Sequence, residues 1–396
     1  MIRLRLLGGF LGSLMAGLVL AEPLPERQVT IGYVQLEEDR RYRAENAYTG
    51  IEFRELGRPF VGARVGLQDA ETIGQVTNTA FGLEYASGNS VDELAGRVTA
   101  WHENQGVHFV LTDLPSKALL ELASATVDLP VLYFNVSASN DRLRGRQCLR
   151  NVAHVHPSDS MLTDALMQYL VSQKWTRLLV LKGEEPADER LVEALERSAR
   201  KFGAELVAER SFSLGKNPRN RDQNNIALLT GEARHDVVFV ADTSGEFGRY
   251  VPYQTQSPRP VVGTAGLTPL AWHWSWHRHG APQLQHRFEA LAPPRRMNSA
   301  SWAAWASVKA VVQAAMRAKS QDFESMRAFI LGSELRLDGA KGSPSSFRAW
   351  NQQLRQPLLV ATPNAVIARL PLRDFLHATD TLDTLGVDEP ESECQL

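Results

Sequence analysis

The chain has 396 residues, with 43 Lys and Arg against 45 Asp and Glu, a formal charge of −2, and 43% apolar residues. That length predicts more than one domain and ample material for cores, while the near-neutral balance excludes a general nucleic-acid binder. Ordinary shares of charged (22%) and aromatic (8%) residues exclude wholesale disorder.

In chain order, Arg3 and Arg5 precede an uncharged stretch from Leu6 to Leu20 that closes on Ala21. Basic, apolar and small residues in that order predict a secretory signal at 1–21 and an exported protein. The competing reading is a membrane anchor, for which the run falls short of the ~20 residues that span a bilayer. Export also permits a disulfide between Cys148 and Cys394. Two unpaired thiols are the alternative, and the Cα separation decides.

Gln28 to Leu36 predicts a buried strand, and Ser90 to Asn104 a helix with a Ser90/Glu93 capping box and one apolar stripe. A strand at 107–112, a helix from Pro115 to Ala123 and a strand at 130–134 follow. The rhythm then repeats: a helix around Met161 to Leu170, a strand at 177–181, a helix from Ala187 to Phe202 ending at Gly203, and strands at 204–208 and 236–241. In that second helix Glu193/Arg197 and Glu196/Arg200 have i,i+4 spacing. Strands alternating with helices imply two α/β lobes, each a mostly parallel sheet flanked by helices. Beyond Pro260 a nearly uncharged helix carries Trp302, Trp305, Val308, Val312 and Met316. Short β segments follow Gly342, and the end from Thr381 is acidic and reads as loop. The expected division is 26–140 with 266–338 in the first lobe, and 141–265 with 339–396 in the second.

No dinucleotide fingerprint, phosphate loop, nucleophile elbow or zincin motif is present in the sequence. In open α/β sheets the ligand crevice lies at the strand C-terminal ends. That rule points to Asp113 and Ser116, to Phe134, Asn135 and Asp141, to Glu184, and to Asp242 and Glu246. Asp, Asn and Ser also cap helices and make turns, so each has a structural reading beside the functional one. Trp272 to His279 is the densest aromatic stretch. On a helix His273 and His277 would share a face as a metal pair, while Trp272 would suit a cleft wall or plain core. The basic loop 142–150 reads as a solvated face.

Several stretches carry a family resemblance: Cys148 to Asn151 with His156 to Asp159, Asp164 to Leu170, Val240 to Gly248, Pro258 to Thr264, Leu354 to Pro357, and the tail Leu382 to Gly386 through Cys394. In that order they resemble type I periplasmic solute-binding proteins of the branched-chain amino-acid-binding kind. More specifically, they resemble the ABC-transporter binding proteins associated with PQQ-dependent alcohol dehydrogenase systems. The resemblance implies a non-enzymatic carrier without cofactor, a small-molecule or ion ligand caught by hinge closure, and an ABC permease partner in the inner membrane. It also implies a link to the dehydrogenase system; an accessory or ligand-sensing role is the alternative. The cleft loops match that family by position only. This leaves the ligand open among an alcohol, an acid, an amino acid, a cofactor and a metal ion.

Overall fold

A computed structural model describes residues 27–42, 57–213, 222–318 and 320–396. The signal expected at 1–21 lies outside the described residues. Strand β1 (Arg27–Leu36) is followed by helix α1 (Phe60–Thr77), and β2 (Thr79–Gly88) pairs with β1 in parallel along its whole length. The sequence pattern concealed α1 because it carries Gly62, Gly66 and Gly74, and each interior glycine costs roughly 1 kcal/mol of helix propensity relative to Ala. Packing explains all three, a Cβ on Gly74 lying 2.3 Å from the Thr79 carbonyl oxygen. A Cβ on Gly62 would sit 1.9 Å from the Ser301 carbonyl oxygen, and one on Gly66 2.8 Å from Val308.

Helix α2 (Val91–Gln105) starts at Ser90, whose hydroxyl accepts the Glu93 N–H, while the Glu93 carboxylate takes the N–H of Asn89. Then come β3 (Phe109–Asp113), α3 (Ser116–Ala125), β4 (Leu132–Asn135) and β5 (Val152–His154). The first sheet runs β2-β1-β3-β4-β5, all parallel. The chain crosses to the second lobe with α4 (Asp159–Ser172), β6 (Arg177–Lys182), α5 (Pro186–Phe202), β7 (Glu205–Ser211), α6 (Ile226–Leu229), β8 (Val237–Ala241), α7 (Val251–Gln254) and β9 (Val261–Gly263). The second sheet runs β7-β6-β8-β9, again all parallel. Gly203 ends α5 in the left-handed conformation, and Arg200 pairs with Glu196 as expected. Arg197 instead reaches Asp141.

After β10 (Thr268–Leu270), α8 (Ala281–Leu291), α9 (Ser299–Arg317) and α10 (Phe323–Leu331) return to the first lobe, where α9 lies along α1. Short strands β11 (Leu337–Asp338), β12 (Pro344–Phe347) and β13 (Leu354–Arg355) form one antiparallel sheet. Strands β14 (Leu358–Ala361) and β15 (Val366–Leu370) pair with β10 in another, against α4.

Two expected boundaries shift. Strand β5 hydrogen-bonds to β4, so the first crossing follows His154 rather than residue 140. Strand β10 pairs with β14, so the return to the first lobe follows Leu270 rather than residue 265. The crossings are laced by glutamines. Gln352 donates to the carbonyls of Leu149 and Val152, Gln353 to those of His154 and His156, and Gln356 to that of Val155.

Candidate functional site

The strands of both parallel sheets end facing the gap between the lobes, as open α/β sheets require of a ligand crevice. On the first lobe, the chain leaving β1 turns at once through a 3-10 turn, Arg40–Tyr42. Asp39 accepts Arg41 Nε and Nη2 at 3.1 and 2.7 Å; Arg41 Nη1 donates to Ser137 at 2.9 Å and Nη2 to Asp113 at 3.2 Å. Tyr42 donates its hydroxyl to Asp113 at 2.8 Å, and Arg58 Nη1 stands 3.8 Å from the same carboxylate. Burial opposes the charge on Arg41, but its bond to Asp39 and the field of Asp113 outweigh it and raise its pKa. The Tyr42 phenol is raised by burial and by Asp113.

Asp113 is therefore at the cleft end of β3, yet fully buried behind Arg41, Tyr42 and Arg58. Asn135 builds the turn after β4: its side chain accepts the N–H groups of Ser137 and Ala138 and donates to the Ala138 carbonyl. Ser116 is the half-buried first residue of α3.

On the second lobe, Glu184 and Glu185 are exposed after β6, at the start of α5. Asp188, in the first turn of α5, accepts both the N–H and the hydroxyl of Thr243 at 2.7 Å, and so binds the loop after β8. Burial raises the Asp188 pKa, and nearby Asp242 adds to the shift. Asp242 accepts from the Ser244 hydroxyl at 2.6 Å and from the N–H groups of Gly245 and Gly248 at 3.1 and 2.7 Å. Its acceptors shape the loop 242–248, which also holds the half-buried Glu246. Across the gap, Arg40 stands 3.8 Å from Glu185.

The structure thus places Asp113 and Asn135 at the strand ends and Ser116, Glu184, Asp242 and Glu246 just beyond them, and removes three expected residues from that rim. Phe134 is wholly buried against Phe109 and Phe347. Trp272 is buried, donating its indole N–H to Gln285. The stretch around it is turn and loop rather than helix, so His273 and His277 have no helical i,i+4 register. Asp141 accepts from Ser160 and Arg197, in a side groove by α5. Sequence reasoning missed Arg40, Arg41 and Tyr42, although the strand-end rule applied to β1 would have found them.

Cys148 and Cys394 are disulfide-bonded, with their Cα atoms 5.6 Å apart. Among the described residues no cluster of three His, Cys, Asp or Glu could hold a metal ion, and no helix is long and apolar enough to cross a membrane.

The family model described as "periplasmic binding protein" matches residues 54–252. The chain belongs to that family. No curated protein is similar enough in sequence to count as a relative. Among solved structures, a branched-chain amino acid ABC transporter periplasmic ligand-binding protein from Burkholderia xenovorans is 12% identical. The match covers 92% of this chain and 99% of that one, at a TM-score of 0.69. The branched-chain amino acid transporter substrate-binding protein LivJ from Streptococcus pneumoniae, in complex with isoleucine, is 16% identical, covering 87% and 99% at a TM-score of 0.62. A solute-binding protein of an R. palustris ABC transporter, in complex with benzoate, is 12% identical, covering 93% and 99% at a TM-score of 0.63. At these identities the likeness establishes the type I periplasmic-binding fold.

Proposed function

We propose that this periplasmic binding protein is the substrate-binding component of an ABC transporter. It captures one small solute between its lobes by hinge closure and presents it to an inner-membrane permease after export. The observation that carries this reading is the pairing of two parallel sheets whose terminal loops meet at Arg40 and Glu185. A ligand touching both loops binds the closed state better than the open one, which is what closure requires. The cleft carboxylates are already engaged by the protein, Asp113 by Arg41 and Tyr42, Asp188 by Thr243 and Asp242 by its own loop, which favours binding over catalysis.

The finer reading, a solute linked to PQQ-dependent alcohol oxidation, rests on the ordered motifs from Cys148 to Cys394; an accessory or sensing role in that system is its alternative. The solved relatives' ligands isoleucine and benzoate both carry a carboxylate, so the test begins there. A thermal-shift panel of amino acids, aromatic and short-chain acids, alcohols, quinone cofactor, calcium and lanthanide ions is measured on the full chain and on Arg40→Glu. A cognate solute raises the melting temperature, and Arg40→Glu diminishes the rise. No response to any class, or one indifferent to Arg40, overturns the cleft assignment.

A further inference from the structure

A groove of about 920 Å³ runs beside the cleft, walled by the 140–147 loop of the first lobe, the N-terminus of α4, one face of α5 and the tail from Gly386 to Glu393. Seven cations line it: Arg142, Arg144, Arg146, Arg190, Arg197, Arg200 and Lys201. The basic loop that reads as a solvated face in sequence is one of its walls.

The lining carries seven cations against six carboxylates, and three of the cations make no ion pair among the described residues. Asp141, Asp164 and Glu393 are spent on Arg197, Lys201 and Arg146, and Glu391 accepts the Asp388 N–H. Arg200 lies 4.0 Å from Glu196 on its own helix. Among the described residues no carboxylate lies within ion-pair distance of Arg142, Arg144 or Arg190, and the remaining groove carboxylates are Asp159 and Glu193.

Arg144 is the most telling of these. It is 3% exposed and donates only to neutral oxygens: Gln353 Oε1 at 2.8 Å, the Asn140 carbonyl at 3.0 Å and the His156 carbonyl at 2.8 Å. A buried guanidinium with no carboxylate in direct contact is costly, and a bound anion would offset part of that cost. Burial pushes its pKa down to about 10, against the fields of Asp141 and Asp159, so it stays charged at neutral pH. Arg190 spends one nitrogen on the Pro186 carbonyl, and its Nε is buried without a partner. The side chain of Arg142 is exposed beside them.

We propose that this groove is a second ligand site, distinct from the inter-lobe cleft, that takes a small oxyanion bearing two or more carboxylate or phosphate groups. Planar guanidinium forks are suited to both groups. Because the walls come from both lobes and from the tail, such an anion would cross-link them and bias the hinge.

The test is calorimetric titration of the full-length oxidised protein with citrate and, separately, with inorganic phosphate, at low and high salt. The variants are Arg142→Gln and Arg190→Gln, which leave the buried Arg144 in place, and Arg40→Glu at the cleft as a control. The expected result is binding that weakens about tenfold in each groove variant, weakens with salt, and is unchanged in Arg40→Glu. Citrate tighter than phosphate marks a polycarboxylate site, and the reverse a phosphate site. Absence of binding by both anions at millimolar concentration overturns the proposal, as does binding indifferent to the groove variants or lost only in Arg40→Glu.

Discussion

Arg41 donates to Asp113 at 3.2 Å, so the carboxylate at the end of the central strand β3 is already satisfied by the protein's own guanidinium. Asp39 shares the same arginine, and both carboxylates are nearly inaccessible to solvent. Removing one partner of a buried charge network costs about 3–5 kcal/mol, because the other is left unpaired. Arg41→Ala is therefore expected to lower the melting temperature by several degrees, and Asp113→Asn in that background to recover part of the loss. Melting curves of the single and double variants check this; additive losses would refute the coupling.

Asp242 makes a second prediction. Its three acceptor bonds lie within its own loop, and truncation leaves the buried Gly248 N–H without a partner. An unsatisfied buried donor costs about 1–3 kcal/mol. Asp242→Ala is expected to destabilise the ligand-free protein, measured by denaturant midpoint. If stability is unchanged and only a solute response disappears, Asp242 contacts solute instead.

The first crossing carries a buried imidazole, His154, and a half-buried one, His156. Burial pushes the His156 pKa down to about 4, with Arg144 and Arg41 adding repulsion; burial and Arg144 lower that of His154. A group whose folded pKa is depressed binds fewer protons folded than unfolded. Stability is thus lost as pH falls below the ordinary histidine value of about 6.5, and the loss continues to the folded pKa. For His156 this amounts to roughly 3 kcal/mol between pH 7 and 4. Urea midpoints across that range should fall less steeply in His156→Gln than in the parent protein; parallel slopes would refute the assignment.

The Cys148–Cys394 bond closes a loop spanning a sequence separation of 246. The tail it holds is anchored elsewhere as well: Asp383 pairs with Arg348 and Arg355, and Lys201 donates to the Thr384 and Gly386 carbonyls. Cys394→Ser is expected to lose about 2–4 kcal/mol, chiefly through a less constrained unfolded chain, while the tail anchors hold. Reductant should reproduce the loss in the parent and change nothing in the variant.

Much of this protein was legible from local pattern. The alternation of strands and helices gave two parallel-sheet lobes, because each element carries its own periodicity within a few residues. The strand-end rule led to Asp113, Glu184 and Asp242, since sheet polarity follows from chain direction. Helix α1 stayed hidden because Gly62 and Gly66 weaken it locally and make sense only against Ser301 and Val308 of α9. Phe134 and Trp272 were placed at the cleft because an aromatic residue at a strand end or in a loop has no sequence mark of which way it faces.

What the sequence determined by itself was therefore the layered architecture, its family and the loops that end at the cleft. Only the tertiary structure decided that Arg41 fills the space before Asp113, that Cys394 meets Cys148, and that the basic loop, α5 and the tail form one groove. Each joins segments far apart in the chain, and their meeting depends on strand order and hinge crossings that no local periodicity encodes.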